Sequence, residues 1–359
     1  MLQAPLEIAS ASVLEIIVRA MLLRKIVSLA EADEPLELVE LPVTKPQPGE
    51  ILLQVSVCGV CHTELDEIEG RTPPPRLPII PGHQVVGRVA ELGAGVTAFR
   101  VGDRVGVGWI HRSCGGPREN LSPDFRATGR DANGGYAEWM TVPDAYAYPI
   151  PEVYTDEQAA PLLCAGAVGY RSLKLTEMID GDPLGLTGFG GSAHLVLQMA
   201  KYLFPNSPVF VFAHQEVGRA FARQSGADWA GETSERAPTS LRAIIDTTPA
   251  WKPVVEALAN LRPGGRLVIN AIRKEDRDKD YLLRLSYQEH LWMEREIKTV
   301  ANVTSADLAE FLPLAARAGI RPTVELYPLA DANRAIIDLK RKPVQGSKVL
   351  VVSTSTSCD

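Results

Sequence analysis

The chain is predicted to be an α/β protein of two domains, a compact β-barrel-type unit joined to a doubly wound parallel sheet. Three observations predict this. At 359 residues it is too long for one ordinary core and suits two. From about residue 35 to 150, short β-type runs are broken by glycine and proline, whereas from about 166 to 302 strands alternate with helical stretches.

The first region offers Glu50–Val57, Gln84–Val89, Asp103–Val107 and Ala137–Val142, and such closely spaced strands with turn residues between them build a small β domain. The second offers strands at Leu184–Gly188, Val209–Phe212, Ala243–Asp246 and Arg266–Ile269. Helices are predicted between them over 192–203, 215–225 and 251–260. Repeated βα units with apolar strands call for a parallel sheet covered on both faces. A last strand is expected at Lys348–Val352, followed by a Ser/Thr-rich tail expected to be disordered. The charge run Asp276–Asp280 reads as a solvated loop.

With 45% hydrophobic and 23% charged residues, neither a disordered chain nor a coiled coil is indicated. A net charge of −7 argues against a sequence-independent grip on nucleic acid or on an anionic membrane, so a small molecule is the expected partner. No apolar run approaches the ~18 residues of a membrane span, and the N-terminal segment lacks the basic and cleavage-site features of a signal peptide. Five cysteines, at 58, 61, 114, 164 and 358, lack the even, dense spacing of a disulfide scaffold and suit a reducing cytoplasm.

Three segments carry metal-type residues: Cys58-Gly-Val-Cys61-His62-Thr63-Glu64, Pro81-Gly82-His83-Gln84-Val-Val-Gly87 and Pro161-Leu-Leu-Cys164. A Cys/His/Cys set spread over a domain suits a catalytic zinc, which takes three protein ligands and keeps its fourth position for water or substrate. Cys58 with Cys61 also forms Cys-x-x-Cys, open to reading as a redox pair or half a zinc ribbon, but no second such pair exists. Separately, Gly188-Phe-Gly190-Gly191-Ser192-Ala193 lies between a strand and a helical stretch, where glycines let a backbone approach a pyrophosphate at a helix N-terminus.

Gly82-His83-Gln84-x-x-Gly87 followed by Gly93 and Val96, together with the two cysteine segments and the glycine-rich turn, resembles the zinc-dependent alcohol dehydrogenases of the medium-chain dehydrogenase/reductase superfamily, from about Met21 to about Val352. The resemblance implies a GroES-like catalytic domain over 21–165, a Rossmann domain over 166–302 and a return to the catalytic domain over 303–359. It makes residues 1–20 an N-terminal extension. It implies Cys61, His83 and Cys164 as ligands of one catalytic zinc, and Cys58 as a packed strand residue. Thr63 becomes the first member of a proton relay, with His62 near the cofactor's ribose or pyrophosphate and Glu64 fixing His83 from outside the metal shell. The chain departs from many relatives at Gln84, where they carry glutamate, and at Asp66, where the relay ends in histidine, which leaves Asp66 as the candidate acceptor.

Relatives often bind a second, structural zinc through four cysteines. The matching stretch Ser113–Ser122 holds only Cys114, which cannot supply a tetrahedral site, so one zinc per chain is expected. Trp109 matches a substrate-pocket aromatic of some relatives; an ordinary core tryptophan is the other reading. At the ribose site Ala213-His214-Gln215 stands where a carboxylate would close the second strand. That favours NADP(H) over NAD(H), with His214 and Arg219 as the cations for a 2′-phosphate, unless nothing there reads the 2′ position and both cofactors bind. The expected activity is hydride transfer between NAD(P)(H) and a small primary alcohol or aldehyde, in a homodimer or homotetramer. The alternatives are a zinc-independent enoyl or quinone reductase and a non-catalytic NADPH-binding protein.

Overall fold

The computed structural model describes residues 17–342 and 346–353. The chain begins with a hairpin, β1 (Ile17–Leu23) against β2 (Leu36–Pro42), then β3 (Glu50–Val60) and helix α1 (His62–Ile68). There follow β4 (Val85–Leu92), β5 (Arg104–Val107), β6 (Ile110–Arg112), β7 (Arg126–Ala127), β8 (Trp139–Pro143) and β9 (Ala147–Pro149). A short α2 (Asp156–Ala159) leads into α3 (Ala165–Leu175). The second unit runs β10 (Leu184–Thr187), α4 (Ala193–Leu203), β11 (Val209–Phe212), α5 (Glu216–Gln224), β12 (Trp229–Gly231), β13 (Leu241–Asp246), α6 (Lys252–Leu258), β14 (Leu261–Ile269) and β15 (Glu296–Thr299). Then come α7 (Ser305–Arg317), β16 (Val324–Pro328), α8 (Ala332–Arg341) and β17 (Ser347–Val351).

The expected boundary after residue 20 falls inside β1. Residues 17–20 pair with β2, and Val18 and Ala20, on one face of the strand, are buried while Ile17 and Arg19 on the other are exposed, so the hairpin packs through that one face. The rest of the extension and the C-terminal tail lie outside the described residues.

The catalytic-side sheet has the order β16-β17-β3-β4-β5-β9, with β8 on the other part of β3. The chain's last strand therefore pairs with β3, the strand that leads directly into Cys61. The second sheet is wholly parallel, in the order β12-β11-β10-β13-β14-β15, so its two βα halves diverge between β10 and β13. Ligands of such sheets bind at this switch point, outside the carboxyl ends of the strands. β10 and β11 are buried along their whole length, as strands covered by helices on both faces require. β12 and β15 are additional to the strands the sequence indicated; β15 is exposed throughout. One apolar cluster joins Val57, Val86 and Leu163 to Leu186, Val211 and Phe311, so the two units share a core at the hinge between them. No helix among the described residues is long and apolar enough to cross a membrane.

The stretch without the cysteine cluster is held by a carboxylate. Glu119, 1% exposed, accepts from the backbone N–H and the hydroxyl of Ser305 at the start of α7, both at 2.5 Å, and from the Tyr146 hydroxyl at 3.1 Å. Replacing Glu119 with alanine leaves these donors unpaired and is expected to destabilise the protein by about 1–3 kcal/mol. An unchanged denaturant midpoint would contradict this role.

Candidate active site

β3 delivers Cys61 to the N-cap of α1, where its backbone is extended (φ −124°, ψ 163°). Glu64, three residues on and fully buried, reaches back so that Oε2 accepts the Cys61 N–H at 2.8 Å. Its other oxygen lies 2.6 Å from Nδ1 of His83, itself 1% exposed. One carboxylate thus fixes the first turn of the helix and the imidazole together. The ring's Nε2 is left facing Sγ of Cys164 at 3.3 Å, at the N-cap of α3. The donor atoms of Cys61, His83 and Cys164 all lie within 4.8 Å of one another.

That set fits a zinc ion. Two sulfurs and a nitrogen are its preferred donors, and a carboxylate on the imidazole's far nitrogen is the usual means of orienting a metal-binding histidine. The protons of the site show the same convergence. The Cys164 thiol, hydrogen-bonded to Cys61 and buried, is pushed well above the ordinary thiol range, while the same bond holds Cys61 well below it against the cost of burial. Burial opposes charge on His83, but Glu64 and Cys61 outweigh it and raise its pKa. Burial also raises Glu64.

Thr63 is nearly buried, with its hydroxyl 3.6 Å from Cys61 Sγ, and His62 is exposed at the start of α1. Trp109 stands edge-on to His83, ring centroids 4.6 Å apart at 84°, so it borders the donor set. Gln84 is buried and lies along β3, where a Cβ on Gly59 would come within 2.7 Å of its Oε1; glycine at 59 makes room for it. Cys58 is buried in β3.

Asp66 is not arranged as a proton acceptor. Its Oδ1 accepts from Nε of Arg71 at 2.7 Å and from Nε of Arg273 at 2.6 Å, and the residue is 2% exposed. Two guanidinium groups share this one oxygen, so Asp66 serves as an ion-pair partner between Arg71 and Arg273 rather than as the open end of a relay.

On the nucleotide side, Gly188 directly follows β10 with φ +75°, and a Cβ there would meet Thr248 at 2.9 Å. Gly190, Gly191 and Ser192 then lead into α4, whose N-terminus faces the switch point. His194, in the first turn, is buried against the Gly190 carbonyl at 3.0 Å and is held below the usual histidine range by that burial. Beside the turn is a cavity of about 500 Å³ whose lining includes Phe189, His214, Phe221, Lys252 and Arg277. Arg219 does not join it. It donates to the carbonyls of Ala213 and His214 at 2.7 and 2.8 Å and pairs with Glu216, so it buttresses the turn from behind. Sequence reasoning missed Lys252 and Arg277, which approach from α6 and from the segment after β14 with no local motif to mark them.

A GroES-like unit in which two half-buried cysteines and a buried histidine converge, joined to a parallel dinucleotide-type sheet, defines a medium-chain dehydrogenase/reductase. The family model described as "Alcohol dehydrogenase GroES-like domain" matches residues 47–152. The "Probable alcohol dehydrogenase AdhA" of Mycobacterium tuberculosis is 43% identical over 89% of this chain and 93% of its own length. An "Alcohol dehydrogenase" of Geobacillus stearothermophilus is 32% identical over 89% and 96%. Among solved structures, a cinnamyl alcohol dehydrogenase of Sorghum bicolor superposes with a TM-score of 0.80 at 26% identity, covering 96% of this chain and all of the other. The chain belongs to the zinc-type alcohol dehydrogenase family of the medium-chain dehydrogenases.

Proposed function

We propose that the protein is a zinc-dependent alcohol dehydrogenase or aldehyde reductase that moves hydride between NAD(P)(H) and a small primary alcohol or aldehyde. The observation that carries this reading is the convergence of Cys61, His83 and Cys164 under the grip of Glu64. When bound there, a zinc ion supplies positive charge that polarises a substrate oxygen. The protein's own residues do the rest. Glu64 keeps Nε2 of His83 turned to the donor centre, and Trp109 narrows the approach beside it. Thr63 holds the substrate's hydroxyl proton at Oγ1 and passes it toward the cofactor ribose or His62. With Asp66 occupied by two arginines, the exposed His62 is the exit to solvent. An enoyl or quinone reductase that dispenses with metal has no use for a converging set of this composition.

One zinc per chain is expected, since Cys114 is exposed and the loop around it is fastened through Glu119. The exposed edge strand β15, with Ile297, Trp292 and Met293 about half exposed nearby, suits pairing with a second copy of the chain. The reducing cytoplasm is the compartment that keeps such free thiols intact.

NADP(H) is the preferred cofactor in this reading. Ala213 supplies no carboxylate at the ribose, and Lys252, whose backbone N–H donates to Asp278 at 2.8 Å, lines the same cavity with Arg277. Aldehyde-dependent oxidation of NADPH and NADH tests both statements. Lys252→Ala with Arg277→Ala is expected to raise KM for NADPH roughly 10-fold or more and leave NADH within about twofold. Equal effects on both cofactors would remove these cations from the 2′ position, and no turnover with any aldehyde or alcohol would sink the proposed activity.

A further inference from the structure

Asp66 joins the two halves of the molecule by charge. Arg71, which shares its Oδ1, belongs to the catalytic side and continues through Glu69 at 2.6 Å to Lys340 of α8, again at 2.6 Å. Arg273 comes from the other side, from the segment that follows β14 in the nucleotide sheet. The residue after it, Lys274, turns the opposite way. Its ammonium is 9% exposed and donates to the Asp246 carboxylate, to the Thr248 carbonyl at 2.7 Å and to the Ala250 carbonyl at 3.1 Å. Asp246, at the end of β13, also accepts the hydroxyl of Thr187, the last residue of β10 before Gly188. Two consecutive basic residues therefore hold the helix that starts at Cys61 and the floor of the glycine-rich turn.

The helix needs such a hold. α1 has seven residues, too few for a helix to be set in place by its own hydrogen bonds, so tertiary contacts fix it. An exposed ion pair would supply little. Asp66 is almost fully buried, and two guanidinium groups donate to one of its oxygens, so the contact is stronger than an exposed ion pair.

We propose that Arg273 and Lys274 form a two-sided clamp that couples occupancy of the dinucleotide site to the placement of α1, with Arg273 and Asp66 as positioning residues that set Thr63 and Cys61 against the bound cofactor. The inference rests on the dinucleotide-binding reading above. Asp66 acts here as a charged anchor, and proton traffic bypasses it.

The test uses Asp66→Asn, Arg273→Gln, their combination and Arg273→Lys in the full-length, zinc-loaded enzyme. Amide hydrogen exchange of residues 62–68 with and without NADPH reads the coupling and needs no turnover. The pH profile of kcat/KM with an aldehyde separates anchor from acid–base group. The clamp predicts that NADPH protects α1 in the parent and not in Arg273→Gln. It predicts a roughly 10-fold loss of kcat/KM in either single variant, no further loss in the pair, partial retention in Arg273→Lys, and an unchanged profile shape. Protection that persists in Arg273→Gln overturns the proposal. So do additive losses, or an Asp66→Asn variant that alone loses a limb of the profile. A parent whose fluorescence shows no binding of NADPH or NADH refutes the dinucleotide reading itself and the clamp with it.

Discussion

Replacing Cys61 with serine is expected to abolish turnover while leaving the fold and dinucleotide binding in place. Cys61 caps α1 through its backbone, and that N–H keeps its bond to Glu64 whatever the side chain, so the loss is confined to a donor atom. Serine is a poor zinc ligand beside the remaining His83 and Cys164, and the charge that polarises the substrate goes with the metal. Several kcal/mol of stabilisation are lost, and at about 1.4 kcal/mol per factor of ten this is roughly a thousandfold in rate. Steady-state assay with thermal unfolding and NADPH titration checks it. A Cys61→Ser protein that still reduces aldehydes at the parent rate would rule out the zinc mechanism.

Glu64→Ala is expected to lower zinc affinity by roughly 10- to 100-fold, the usual consequence of removing the partner that orients a ligating histidine. The Cys61 N–H loses its acceptor and His83 Nδ1 loses the carboxylate 2.6 Å away, so the damage reaches two of the three ligands. Glu64→Gln keeps the shape and an oxygen acceptor and is expected to fall between alanine and the parent. Competition with a chromophoric chelator measures all three. Affinity unchanged in Glu64→Ala would mean that the carboxylate serves the helix cap alone. Because Cys164 and His83 both hold their protons more tightly than usual and must release them to a metal, affinity is also expected to fall as pH is lowered.

The legible parts of this molecule were those in which chemistry and local spacing coincide. The four-residue strands at 184 and 209 each follow a proline and carry no charged side chain, so their burial on both faces could be read directly. Cys61, His83 and Cys164 stood out because each lies in its own short motif, and the fold brings the three together. Glu64 was legible for the same reason, three residues after the cap it serves. What stayed hidden depends on partners distant in sequence. Asp66 reads as a free acceptor until Arg273, 207 residues later, is placed on it. Arg219 reads as a cofactor cation until its guanidinium is seen turned back onto the carbonyls of its own turn. Glu119 and Ser305, 186 residues apart, share no local pattern at all. β15 escaped because its four residues are all exposed and show no alternation.

Elemental analysis of zinc, on the same preparation assayed for aldehyde-dependent NADPH oxidation before and after chelation, tests the central claim most directly. About one zinc per chain, with turnover that disappears on chelation and returns when zinc is restored, is the predicted result. Full turnover in a protein free of zinc would contradict it.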